Sequence, residues 1–268
     1  MLVVVCSIAA AFFIGQLVSR TLGPEKNYLL DIQIGVELVA AVAATAIMLR
    51  SLDQRDWSYV GLSRAAAQPS QFVTGWFVGM LGIAAACAVL LAGGWLDILR
   101  TDSAGSWAAA ALRTTVILTI AAFAEELICR GYLLSIIRDS IGVPGAILLT
   151  SALFGLLHLL NPGATAQSVA IVTLAGVLLA SVRVVLKSLY AAWMAHLGWN
   201  WLMAVPLHAP VSGEQFPSPG YVAVSTDPSW LSGGRWGPEG GLVAALCMIA
   251  GIAYLYARYR REESSHDG

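Results

Sequence analysis

Apolar residues run along this chain in long blocks, with no sustained alternation and no narrow helical stripe. A block of about 20 residues is what an α-helix needs to cross a bilayer core of about 30 Å. Eight such blocks are predicted, at roughly 2–19, 28–49, 71–92, 111–135, 144–160, 166–186, 188–205 and 241–257. Polar or Gly/Pro-containing breaks separate the first four. Only Lys187-Ser188 divides the sixth from the seventh, so a tight turn is expected there. The first block has no basic residue ahead of Leu2 and no small-x-small cleavage pattern at its end. It reads as a retained span and not as a removed signal. The fold class this predicts is all-α: one integral membrane domain over residues 1–268, polytopic, with about eight transmembrane helices.

Composition agrees. The 268 residues are 58% hydrophobic and 12% charged, with a mean hydropathy of +0.74, far from the balance of a water-soluble domain. A net charge of −1 offers no basic face, which excludes a nucleic-acid partner. Membrane lipid is the partner that the composition itself implies. Cys6, Cys87, Cys129 and Cys247 all sit in apolar runs without CxxC spacing, so they read as small buried hydrophobes.

Charge also sets an orientation. With both termini cytoplasmic, the inner segments hold Arg50, Arg55, Arg64, Arg138, Arg183, Lys187, Arg258, Arg260 and Arg261. The outer ones hold Arg20, Lys26, Arg100, Arg113 and Arg235. The excess is on the inner side, as the positive-inside rule asks, and the plasma (inner) membrane is the expected location. Residues 206–240 then form a long, Pro-rich outer loop. Two readings of it stay open, a cap over a site and a flexible connector.

Against this background the polar residues inside the blocks stand out, because each costs several kcal/mol in hydrocarbon unless paired or wet. The fourth block carries Glu125-Glu126-x-x-x-Arg130. Glu126 and Arg130 are four apart on one helix face and can pair. Glu125 points about 100° away and is the carboxylate left over to face a cavity. The fifth block ends Phe154-x-x-x-His158, and the seventh contains His196-x-x-x-Asn200. At 1.5 Å rise per residue, Glu125, His158 and His196 lie about 10, 20 and 12 Å from the inner face, a spread of under two helical turns. A hydrogen-bonded Glu37 is expected in the second block. His208 and His266 are expected in water, and Trp193, Trp199 and Trp201 at packing or interfacial positions. Gly75 and Gly79 form a GxxxG spacing that favours close helix approach. HExxH, GxSxG and a Walker lysine are missing, which removes zincin, serine-elbow and nucleotide chemistry.

These three motifs, in this order on separate blocks over roughly 111–205, resemble the CPBP family. Its members are the CAAX-protease and bacteriocin-processing intramembrane proteases, and they include the eukaryotic type II CAAX prenyl endopeptidase. The pattern departs only in that Tyr132 and Leu133 shift one apolar position. The stretch Asp56-Trp-Ser-Tyr-Val-Gly61-Leu62 also resembles a segment often found ahead of that family's third span. The resemblance implies a membrane-embedded endopeptidase acting on a peptide or protein substrate, lipidated or membrane-anchored in some members. Carried over, Glu125 and His158 activate a water, and His196 and Asn200 hold the oxyanion. Glu126, Arg130 and Phe154 support them. The alternative is a zinc ion (Zn2+) on Glu125, His158 and His196. The metal-free form is preferred, because Asn is a poor zinc ligand and a natural oxyanion donor. Two other classes compete. One is a non-catalytic immunity or scaffold protein, and the other is a proton-coupled transporter that uses the same residues as a relay.

Overall fold

The computed structural model describes residues 27–264. The expected first span, 2–19, lies outside the described residues, as do Cys6 and His266. The other seven expected spans are all helical. Helix α1 (Asn27–Ile47) runs into a π-helical turn, Met48–Asp53, and Gln54 closes it in the left-handed conformation. Helix α2 (Pro69–Ala92) has proline in its first turn, where the missing N–H costs nothing. Helix α3 (Trp107–Glu126) continues through a π-helical segment, Leu127–Leu133, into α4 (Leu134–Leu157). Helices α5 (Ala166–Val185) and α6 (Leu189–Ala204) follow. After a short helix α7 (Ser229–Ser232), α8 (Leu242–Ser264) completes the described chain.

The starts of these helices carry their own caps. Ser106 and Ser188 accept hydrogen bonds from Ala109 and Ala191 at the starts of α3 and α6. Thr165 and Ser168 form a reciprocal capping box at the start of α5. These side chains satisfy N–H groups that the first turn of a helix leaves without partners.

Among the described residues, five helical stretches are long and apolar enough to cross a membrane: Ile32–Asp53, Pro69–Ala92, Trp107–Leu157, Ala166–Val185 and Leu242–Arg261. The third holds two expected spans. It breaks at Gly142 (φ 82°, ψ 171°), two residues before Pro144, a conformation open only to glycine followed by a residue that cannot continue the ladder. The expected seventh span, α6, has only 16 residues, about 24 Å of helix. That is short for a crossing. Instead α6 is the buried centre of the bundle, packed against α2, α3 and α5, which is how a short apolar helix is accommodated. A count of eight spans is therefore not confirmed.

The α2–α6 contact is the most extensive between helices among the described residues. A Cβ built at Gly75 would overlap the Ala191 carbonyl, and one at Gly79 the Ala195 carbonyl. From the opposite side, a Cβ at Gly198 would lie 2.6 Å from the Trp76 carbonyl oxygen. The GxxxG spacing thus marks a backbone-to-backbone seam. The other flank of α6 is pinned to α3 by Trp193, whose Nε1 donates to the Thr119 carbonyl (2.9 Å), and by Trp201, which donates to the Thr115 hydroxyl (3.0 Å).

Strands are an addition to the all-α expectation. Strand β1 (Leu96–Arg100) pairs antiparallel with β2 (Tyr221–Ser225), Leu96 opposite Ser225 and Arg100 opposite Tyr221. This pairing puts the 93–106 and 206–240 connections at one end of the bundle. Asn161 joins them there, its amide donating to the Ser212 carbonyl (2.9 Å). The segments near 54–68, 134–143 and 183–188 meet at the opposite end. Tyr59 bonds Asp139 (2.9 Å), Ser188 bonds the Ala66 carbonyl (2.8 Å) and the Leu189 N–H bonds the Gly61 carbonyl.

The connection 206–240 is not a flexible tether. Trp236, His208 and Glu239 within it are buried. His208, expected in water, stacks on Tyr221 with ring centroids 4.5 Å apart and bonds the Tyr221 carbonyl. The loop folds back on itself and on β1, which carries the histidine inside.

Substitution should expose the seam directly. Gly79→Ala is expected to destabilise the protein by about 1–3 kcal/mol, as overpacking does. Gly35→Ala, with nothing within 4 Å of the new methyl, should be neutral or slightly stabilising. Thermal unfolding of the two variants in detergent checks this. Equal melting temperatures would contradict the seam.

Candidate active site

The site is assembled by α3, α4 and α6 around one buried cation. Arg130 is fully buried in the π-helical segment Leu127–Leu133. Such a segment widens the helix by one residue per turn and is found often at functional positions. The guanidinium makes three contacts. Nη1 donates to Glu126 Oε1 at 2.9 Å, Nη2 donates to the Gly176 carbonyl of α5 at 3.3 Å, and the plane lies 4.0 Å from the centre of the Phe154 ring. The i,i+4 ion pair read from the sequence is thus present, and Phe154 covers it with a cation–π contact.

Glu126 does more than neutralise Arg130. The same Oε1 takes a hydrogen bond from His196 Nδ1 at 3.0 Å. A carboxylate on Nδ1 fixes the ring's orientation and favours the imidazolium form. Glu126 therefore holds the cation of its own helix and the imidazole of α6 together. Spacing alone could not reveal this second partner, 70 residues away.

His158 closes α4. Its Nδ1–H donates to the Phe154 carbonyl at 2.7 Å, since a carbonyl can only accept. In the neutral ring Nε2 then carries the free lone pair. Phe154 also fills the space between the histidines, its ring centre 4.7 Å from that of His158 and 5.8 Å from that of His196.

His158, His196 and Asn200 line one cavity of about 30 Å3, together with Phe154, Trp199 and Gly79. That is room for a water or two. Val172, Ala175, Leu178 and Leu179 of α5 make an apolar wall. Ser212 and Glu239 close it from the 206–240 connection.

Glu125 lies apart. It is half-buried and does not line that cavity. Its Oε2 is sealed from solvent without a hydrogen-bond partner among the described residues. It is within electrostatic range of His196 on one side and of Glu37 on α1 on the other. Glu37 is hydrogen-bonded as expected, to Gln33 at 2.8 Å. So the structure brings His158, His196 and Asn200 together and puts Glu126, not Glu125, in direct contact with His196.

Glu239 is the site residue that the sequence reading missed. Its Oε1 accepts from the Ser212 N–H (2.6 Å) and hydroxyl (2.9 Å), and its Oε2 accepts from Trp199 Nε1 (2.8 Å). This buried carboxylate fastens the loop to α6 one residue before Asn200. Only its place beside two tryptophans in a Pro/Gly-rich loop could have hinted at it. Trp199, read as a packing residue, is the other half of the clasp.

The zinc alternative asks for a cluster of ligands. Among the described residues no group of three His, Cys, Asp or Glu side chains is found. The Nδ1 atoms of both histidines are engaged, which leaves each Nε2 open.

An acid–imidazole pair and a second imidazole at one buried cavity are groups that can move protons. Comparison with known proteins gives one match. Residues 107–202, from the start of α3 nearly to the end of α6, match the family model described as type II CAAX prenyl endopeptidase Rce1-like. That stretch is similar to the Rce1-like domain, in line with the CPBP resemblance, and the match supports an intramembrane protease function generally. No curated protein and no solved structure matches the chain.

The two buried carboxylates should respond differently to amidation. Glu126→Gln leaves Arg130 and His196 without their anion and is expected to cost about 3–5 kcal/mol. Glu239→Gln turns an NH₂ towards groups that are themselves donors, at about 1–3 kcal/mol. It should also make 206–240 the first site of limited proteolysis. Melting temperatures with cleavage mapping decide this. An unchanged cleavage pattern in Glu239→Gln would contradict the clasp.

Proposed function

We propose that the protein hydrolyses a peptide bond of a membrane-anchored or lipidated peptide or protein by direct water attack, without a metal. The observation that carries this reading is the convergence of His158, His196 and Asn200 on one water-sized cavity, with His196 held by Glu126. His158, with its Nδ1 tied to the Phe154 carbonyl, has Nε2 free to take a proton from the attacking water. Glu125 is the second proton acceptor. Its unpartnered Oε2 is the reactive atom, and it closes on the water when substrate is bound, since catalytic hydrogen bonds are often long before the substrate arrives. His196 and Asn200 face the developing oxyanion with an imidazolium N–H and an amide NH₂. The apolar wall of α5 suits a substrate that arrives with a lipid chain or an apolar anchor.

Turnover of a cleavable peptide by purified protein tests the assignment. Glu125→Gln and His158→Ala should each lower the rate by about 10²–10⁴, the usual loss for a general base. Asn200→Ala should lower it by about 10²–10³. All three should stay folded and membrane-inserted. Wild-type activity should survive verified metal removal by a strong chelator. Loss on chelation with recovery on adding zinc would overturn the metal-free mechanism, and wild-type turnover by Glu125→Gln would overturn the role of Glu125.

We also place both termini in the cytoplasm of a plasma membrane, with 206–240 outside. The arginine and lysine bias supports this. Reporter fusions after Arg261 and within 212–236 are expected to report opposite sides. A cytoplasmic signal from the loop fusion would reverse the orientation.

A further inference from the structure

The end of the bundle opposite the cavity holds a charge that the active site does not use. Arg183 sits in the last turn of α5 and is 6% exposed. Among the described residues it has neither a hydrogen-bond nor an ion-pair partner, and its Nε is sealed from the surface. Its two terminal nitrogens are not sealed in the same way. The one charged group in range that acts on it is Arg138, which repels it. Arg138 itself is already paired with Asp139 at 2.8 Å.

The fold makes room for this guanidinium. It lies flat on Gly61, where a Cβ would come within 2.6 Å of Cζ. Gly61 has φ +85°, so the cradle also depends on a backbone conformation that side chains disfavour. Its carbonyl accepts the N–H of Leu189, which fixes the cradle to the start of α6. The segment around Gly61 is the one that stood out in the sequence without acquiring a role.

A buried guanidinium without a counter-ion is costly. The C-terminal end of α5 offers it only a partial dipole. A group kept at that cost, with its planar fork facing outward, is suited to an anion with two oxygens in one plane. Arg183 is 17 residues into α5, about 26 Å along it. That depth is the far boundary of the hydrocarbon core, where lipid phosphates lie. Arg64 and Lys187, exposed at the same end, add positive potential around it.

We propose that Arg183, cradled by Gly61, binds a phosphate group, either of an anionic lipid headgroup or free in solution. The site sits between loop 54–68 and the ends of α4 and α5. It is independent of the protease reading, because none of its residues touches the cavity.

The test uses the full-length protein. Melting temperature is compared in nanodiscs of phosphatidylglycerol and of phosphatidylcholine, and in detergent with added inorganic phosphate. Wild type should melt several degrees higher in phosphatidylglycerol, or should gain saturably from phosphate. The first result identifies a lipid and the second a free anion, and both support the site. Arg183→Gln should lose most of that gain while keeping its melting temperature in phosphatidylcholine, and Lys187→Gln should retain it. Equal gains in Arg183→Gln and wild type would overturn the proposal. If Arg183→Gln does not fold, native mass spectrometry of the wild type decides. Failure to retain phosphatidylglycerol or phosphate through detergent exchange overturns it equally.

Discussion

Everything at the centre of this molecule depends on one oxygen atom. Glu126 Oε1 receives both the Arg130 guanidinium and the His196 imidazole, at zero exposure. In so apolar a bundle none of the three groups could hold its charge alone. Together they form a compact ionic knot, and Phe154 covers its cationic side and separates it from the second histidine. The orientation of His196, the approach of α3 to α6 and the wall behind His158 all follow from satisfying that knot. A hydrophobic replacement of equal volume would fold as well or better. The ionic version is what gives the cavity a polarised imidazole.

The surrounding architecture supplies rigidity where the knot needs it. On one flank α6 meets α2 through glycines, backbone against backbone, and on the other its tryptophans bond α3. From a third side, Glu239 ties the 206–240 connection to Trp199. The helix bearing His196 and Asn200 is therefore held from three directions by contacts with little freedom to shift. Positional tolerance in a catalytic site is small, and a helix too short to span a bilayer can serve here because its neighbours, not lipid, surround it.

How much of this was legible beforehand follows from the range of the signals. Apolar blocks and i,i+4 spacing are local, so seven helices, the Glu126–Arg130 pair and the three motifs could be read directly. The break at Gly142 falls between the expected fourth and fifth spans, though the glycine itself was not singled out. Tertiary facts stayed hidden. That His196 reaches Glu126 rather than Glu125 depends on how α6 packs against α3, which spacing rules do not contain. Strand β1 pairs with residues 125 positions away, and neither strand alternates strongly enough to declare itself. His208 looked solvent-exposed because a loop rich in proline says nothing about where it folds back. Glu239 went unnoticed for the same reason.

The glycine seam between α2 and α6 has a consequence for traffic through the protein. Where two backbones touch, no side chain can rotate aside and no acyl chain can slip between them. That wall of the cavity is permanently shut to the bilayer. The α5 side differs in kind: it lines the cavity with the side chains of Val172, Ala175, Leu178 and Leu179 and not with backbone. If the proposed hydrolysis takes place here, its substrate has to enter elsewhere than the α2–α6 flank, which serves as a fixed wall of the path.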